Sequence, residues 1–290
     1  MLTMKRLSLT IPVIATAVAI TATSGSEAKT LHHPTVRAAG VCGSTAKLPT
    51  RKAGVLTIAT SSAAYAPYFI DHNPSNGKGF ESAVAYAIAK ELGYTPANVR
   101  WVVQPVSSAF APANASFDFD VNEVSITPAR AKQVTFSTPY FSDPLTVLVA
   151  RGGELRNVKK LGGLANAVIG VQLNTTSLQA VTDLVDPLQQ AAAYDTPADI
   201  VAAYKDKDVN AIVTDLGTSV DLVNTELPTT KVLGQFSYPG DGTWGLVLQK
   251  HSKLTQCVDR ALGALKSSGT LAKLTKKWIA TDAKIPVLKP

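Results

Sequence analysis

The chain has 290 residues, 46% of them hydrophobic, 17% charged and 7% aromatic, with 19 glycines and 17 prolines. That balance excludes collagen-like, coiled-coil and disordered chains, and the length suits one large domain or two lobes, either able to bury a substantial core. The formal net charge is +7 with an isoelectric point near 9.3, but the 28 lysines and arginines are scattered without a polybasic run. This is the pattern of a solvated basic surface, and no nucleic-acid partner is expected.

Lys5 and Arg6 precede an apolar stretch from Leu7 to Ala22, after which Ser24, Gly25, Ser26 and Ala28 offer small-residue cleavage positions. Residues 1–28 have the layout of a signal peptide, so an exported, periplasmic or extracellular protein associated with the cell surface is expected. Residues 29–50 are polar, contain Pro and Gly, hold His32 and His33, and show no sustained periodicity. They read as a flexible N-terminal arm. Cys42 and Cys257 are the two cysteines; in an oxidising exported compartment a disulfide between them is expected.

From Val55 the pattern becomes regular. Val55 to Thr60 reads as a strand, Pro67 to Gly79 as a turn-rich crossing, and Val84, Ile88 and Leu92 recur at helical spacing before Gly93. Arg100 to Val103 and Phe119 to Ile126 read as further strands, and Thr127 followed by Pro128 is a helix start with Thr as cap. Leu145 to Ala150 is another β-rich run, and a second α/β series follows: a strand at Val168 to Val171, a polar turn at Asn174 to Ser177, and a helical face of Leu178, Val181, Leu184 and Val185. Thr196 and Pro197 open a helix with Asp199 in its first turn, and Ala211 to Thr214 is a short buried strand with Asp215 at its carboxyl end. In open α/β sheets, ligands collect at such ends. Lys231 to Leu233 and Gly245 to Lys250 read as strands flanking a Gly-, Tyr- and Pro-rich segment, and two helices close the chain on either side of Gly269.

Catalytic and metal motifs are weak. Gly240, Gly242 and Gly245 match GxGxxG in letters, but they run into a strand instead of opening a helix, so the dinucleotide context is missing. The four histidines, His32, His33, His72 and His251, have no ligand spacing, and neither a GxSxG elbow nor a CxxC pair occurs. No metal or cofactor is expected.

What remains suits a zwitterion. A free amino acid offers a planar carboxylate and an ammonium a few ångströms apart, so a buried site must supply a fork-shaped cation, N–H donors and an anion. Arg130 lies in the first turn of the helix capped by Thr127, where its guanidinium and the turn's N–H groups can converge on one carboxylate. Ser125 adds a hydroxyl, Asn174, Thr175 and Thr176 form a second anion-friendly turn, Asp215 offers an ammonium acceptor, and Tyr65 and Tyr68 belong to an aromatic cluster able to cover a ligand side chain.

In order and in motif the chain resembles the amino-acid-binding proteins that feed ABC importers, family 3 of the solute-binding proteins, with the periplasmic binding protein type II or Venus-flytrap fold. The resemblance spans residues 54 to 280 and rests on Tyr65-Ala-Pro-Tyr68, Gly79-Phe80-Glu81, Ser125-Ile-Thr-Pro-Ala-Arg130, Phe136-Ser-Thr-Pro-Tyr140, Ile169-Gly-Val-Gln-Leu-Asn-Thr-Thr176, Val209-Asn-Ala-Ile-Val-Thr-Asp215 and the closing helix. It implies an α/β chain with two mixed sheets flanked by helices and joined by a two-strand hinge. Residues 51–147 plus 240–290 would form the first lobe and 148–239 the second.

By the same resemblance, Arg130 with Ser125, Thr175 and Thr176 would grip the α-carboxylate, Asp215 the ammonium, and Tyr65 would cover the side chain; both cysteines would belong to the first lobe. Two departures stand out: Glu123 where Gly or Ser is usual, and Asn174 where Gly is usual. Glu123 either faces the cleft, favouring a cationic or amide-bearing ligand, or pairs with Arg130 or another cation. The reading is an exported, monomeric binding protein, not an enzyme, that delivers a polar amino acid to a membrane permease. Its alternatives are a dehydratase acting on cyclic precursors of aromatic amino acids, with Glu123 as general acid, and a ligand-sensing module for a membrane receptor.

Overall fold

The computed structural model describes residues 40, 42–62, 64–110, 116–239, 242–279 and 284–290. The signal peptide expected over 1–28, and the arm up to residue 39, lie outside them. Short buried runs of Leu, Ile, Val and Ala form the strands, and helices cover their faces, as the α/β reading requires.

In chain order the first series is β1 (Leu56–Thr60), α1 (Phe80–Glu91), β2 (Val99–Val103), α2 (Val106–Ala109), β3 (Phe119–Asp120), α3 (Pro128–Ala131), β4 (Thr135–Phe136) and β5 (Phe141–Ser142). The second is β6 (Leu145–Ala150), β7 (Ile169–Gln172), α4 (Thr176–Ala180), β8 (Ala192–Tyr194), α5 (Pro197–Lys205), β9 (Ala211–Asp215), α6 (Leu216–Asn224) and β10 (Thr230–Phe236). β11 (Thr243–Trp244), β12 (Val247–Leu248), α7 (Thr255–Ser267) and α8 (Thr270–Trp278) complete it.

One five-stranded sheet has the order β2-β1-β3-β12-β4, parallel except that β12 runs against β3 and β4. The other has the order β10-β6-β9-β7-β8, with β6 antiparallel to both its neighbours. Each sheet carries its own core. In the first, Val84, Ile88 and Leu92 from α1 and its end meet Leu56, Ile58, Val258 and Leu262; in the second, Val147, Ile169, Val171 and Val213 pack on Leu161, Leu164 and Val181. Between them β5 and β11 pair antiparallel as a two-strand ribbon, Phe141 opposite Trp244 and Ser142 opposite Thr243. Gly242 lies in this crossing with φ of +74°, and a Cβ there would stand 2.6 Å from the Asp143 carbonyl. Within the GxGxxG lettering, Gly242 thus answers to backbone packing at the crossing, while a Cβ at Gly245 would stand 2.8 Å from the Ile126 side chain.

Several expectations need correction. The strand expected to run from Phe119 to Ile126 stops at Asp120, because Glu123 takes a left-handed conformation (φ 53°) that a strand cannot continue through. The strand expected over Gly245 to Lys250 is reduced to Val247–Leu248. The arm is not loose throughout: Cys42 is bonded to Cys257 of α7, a turn forms at Thr45–Lys47, and Leu48 is buried in the first core.

Sheet membership also departs from the expected lobe boundaries. β6 lies wholly in the second sheet, and Val287 and Lys289 bridge to Gln235 and Lys160 there, with Leu288 buried in the second core. The stretch 145–147 and the tail 284–290 therefore pack with the second lobe, since their apolar side chains find partners there.

Candidate functional site

The carboxyl ends of β1, β7 and β9 and the turn after β3 face one another between the lobes. A small cavity of about 40 Å³ lies there, lined by Ser61, Tyr65, Asn122, Glu123, Val124, Ser125, Arg130, Gln172, Thr175, Thr176, Ser177 and Asp215. Seven of the nine side chains expected at the site therefore meet in one place.

Local chemistry explains the convergence. Thr127 caps α3 by accepting the Arg130 N–H at 3.2 Å, and Pro128 fits the first helical position. The Arg130 guanidinium then donates from Nη1 to the Ser125 carbonyl at 2.9 Å and from Nη2 to the Asn174 carbonyl at 2.8 Å, one bond in each lobe. The Phe110 ring lies 4.8 Å from its centre, a cation–π contact. A second link crosses between the lobes where the Ser125 and Thr176 hydroxyls stand 3.4 Å apart. On the second lobe, Thr175 donates to the Gln172 carbonyl at 2.7 Å, and Asp215 ends β9 where α6 begins.

Glu123 is the unusual member. Its carboxylate accepts from the Tyr65 hydroxyl at 2.7 Å, and its backbone N–H donates to Glu81 Oε1 at 2.8 Å. Burial, with the charges of Glu81 and Asp215 added, pushes its carboxyl well above the usual range, against the pull of the Tyr65 hydrogen bond. Tyr65 is pushed up in turn by burial and by Glu123. Behind them lies Glu81, fully buried on α1, which also accepts from the Tyr140 hydroxyl. Burial raises Glu81 to about 7, even though Tyr140 and the Glu123 N–H favour its ionised form. Asp120, equally buried, is held well above its ordinary value by burial and by the charge of Glu81.

Two expected residues fall outside the lining. Asn174 contributes its backbone carbonyl, and its φ of 61° accounts for the departure from Gly, since Asn tolerates the left-handed region better than most side chains. Tyr68 is fully buried beneath the cavity, edge-on to Tyr65 at 5.8 Å and to Trp244 at 5.3 Å, with its hydroxyl 3.4 Å from Asp143. Ser61, Asn122, Val124, Gln172 and Ser177 also line the cavity without being expected there, although Ser61 and Gln172 stand at strand carboxyl ends, the same signal that singles out Asp215. Among the described residues no cluster of three or more His, Cys, Asp or Glu is arranged to hold a metal ion.

A cavity that offers a guanidinium, hydroxyls and two carboxylates from both lobes suits a small molecule bearing both charges. Known proteins agree with this architecture. The L-cystine-binding protein TcyJ of Escherichia coli (strain K12) is 28% identical over 226 residues, covering 75% of this chain and 80% of its own. The ABC transporter glutamine-binding protein GlnH of Bacillus subtilis (strain 168) is 27% identical over 216 residues, 72% of this chain and 76% of its own. Among solved structures, an ancestral arginine-binding protein bound to arginine superimposes with a TM-score of 0.67 at 30% identity, covering 78% of this chain and 99% of the other. The fold is therefore the two-lobed α/β fold of the type II periplasmic binding proteins. Residues 56–281 match the model of the bacterial extracellular solute-binding proteins, family 3, and the chain belongs to that family.

Proposed function

We propose that this protein is exported, captures a free amino acid with a cationic or amide-bearing side chain between its lobes, and delivers it as a monomer to the permease of an ABC importer. The observation that carries the reading is the meeting of Arg130, Glu123 and Asp215 in one cavity between the two sheets. In this reading Arg130, Ser125, Thr175 and Thr176 take the α-carboxylate, Asp215 the ammonium, and Tyr65 with Glu123 the side chain. The relatives' named ligands, cystine, glutamine and arginine, are all amino acids, which supports the class. A ligand that touches both lobes stabilises the closed state by its differential affinity, and no bond is broken. Among the described residues no helix is long and apolar enough to cross a membrane.

Thermal unfolding across the common amino acids tests this. A ligand at about 100 times its Kd adds about 2.7 kcal/mol of stability; arginine, lysine, histidine or glutamine should produce such a shift and aspartate should not. Identical melting curves for every amino acid would overturn the reading.

One observation favours a second reading. Glu123, buried, bonded to a phenol and pushed well up in pKa, has the environment of a general acid, as a dehydratase acting on cyclic precursors of aromatic amino acids needs. Elimination of water from such a substrate, abolished in Glu123→Gln while binding persists, would establish that activity; absence of turnover leaves transport alone.

A further inference from the structure

Gly217 stands at the start of α6 in ordinary helical conformation, so its backbone does not require glycine. Alanine is the better helix former there. Space explains the choice: a Cβ at Gly217 would lie 2.6 Å from the Tyr68 hydroxyl oxygen, 3.2 Å from Tyr68 Cζ and 3.3 Å from Asp143 Oδ2. The Tyr68 ring is part of the first core, fully buried and edge-on to Trp244, while Gly217 and Thr218 belong to the second lobe. Asp143 sits in the crossing between them, just after β5, and accepts the Gly217 N–H at 3.0 Å. The Tyr68 hydroxyl donates to the same Asp143 oxygen at 3.4 Å and accepts from Thr218 at 3.5 Å, distances at the long limit of a hydrogen bond.

A tyrosine of one lobe thus has its hydroxyl in a notch of the other. We infer that Tyr68 is a positioning residue for closure, whose hydroxyl enters the notch formed by Gly217, Thr218 and Asp143 only when the lobes come together, so that the notch sets how far the ligand-free protein leans towards its closed form. The inference rests on the reading that the lobes close on a ligand. It adds a determinant of affinity that does not line the cavity. Apparent affinity scales with the fraction of molecules in the binding-competent state, so this contact acts alike on every ligand. Its long hydrogen bonds suit a contact that is made and broken with each cycle, and Tyr65, stacked edge-on against Tyr68, places it directly under the cavity.

The test uses the full chain in four forms: wild type, Gly217→Ala, Tyr68→Phe and the double variant. Small-angle X-ray scattering without ligand reads closure, and titration calorimetry with arginine and with glutamine reads affinity. Gly217→Ala should enlarge the radius of gyration and weaken binding about tenfold for whichever amino acid binds. The double variant, which removes the oxygen the new methyl would meet, should return both towards wild type. Tyr68→Phe alone should move the radius in the same direction by less. A radius unchanged in Gly217→Ala, or no recovery in the double variant, would overturn the proposal. If Gly217→Ala does not fold, an unchanged radius in Tyr68→Phe overturns it as well. Should no amino acid bind any form, the transport reading fails, yet the scattering still decides the role of Tyr68.

Discussion

Arg130 is held by two backbone carbonyls from opposite lobes and by the face of Phe110, so it joins the halves of the cleft as well as offering charge. Lysine keeps the charge but loses the planar fork, and hydrogen bonds to charged groups are worth roughly 1.5–3 kcal/mol each. Arg130→Lys is therefore expected to weaken amino-acid binding by about 10- to 100-fold by calorimetry; unchanged affinity would move the carboxylate site elsewhere. Glu81 makes a prediction about pH. Its ordinary value is 4.5 and burial raises it to about 7, so between those values the native state keeps a proton that the unfolded chain has released. Stability from this group is complete below about pH 4.5, falls as pH rises to 7, and is constant above; the loss is about 3 kcal/mol. Glu81→Gln keeps an acceptor for Tyr140 and the Glu123 N–H but cannot ionise. Denaturant titrations should show the variant gaining on the wild type from pH 4.5 to 7. A constant difference across that range would contradict the buried, protonated Glu81.

Among the elements, α3 and α5 begin with the same chemistry and serve different ends. Thr196 and Asp199 form a reciprocal capping box at the start of α5, each side chain accepting the other's backbone N–H at 3.2 Å. α5 packs on β7, β8 and β9 and contributes nothing to the cavity lining. Thr196→Ala should therefore lower unfolding stability by about 1 kcal/mol and leave ligand affinity as it was. Thr127→Ala removes an equivalent cap, but from a four-residue helix whose first turn carries Arg130. It should lower affinity as well, and equal affinities in the two variants would show that the cap does not position the guanidinium. The turn after β3 follows the same logic at a single residue: the left-handed Glu123 ends the strand early and its side chain joins the cavity lining.

At the level of the whole molecule, the Cys42–Cys257 bridge closes a loop of 215 residues, yet both cysteines pack against the first core. The bond therefore constrains the unfolded chain without crossing the cleft. Loop-closure entropy sets its stabilisation at about 5 kcal/mol or less. Reduction should lower the melting temperature markedly while the calorimetric affinity stays the same; a large loss of affinity would mean that the bridge also controls closure.

Local pattern makes legible the two α/β series, the capped turns that carry Arg130 and Asp199, the position of Asp215 at a strand end and the pairing of the cysteines, because each depends on local spacing, capping chemistry or compartment. Helical and strand periodicities are written into neighbouring residues and need no distant partner. Folding in three dimensions is what packs β6 and the chain's tail with the second sheet, stacks Phe110 on Arg130, hydrogen-bonds Glu123 to Tyr65 and sets Tyr68 beneath the cavity against Gly217. Those facts depend on contacts between residues far apart in the chain and on one left-handed backbone angle. Direction of a side chain is set by what packs around it, which no local pattern records.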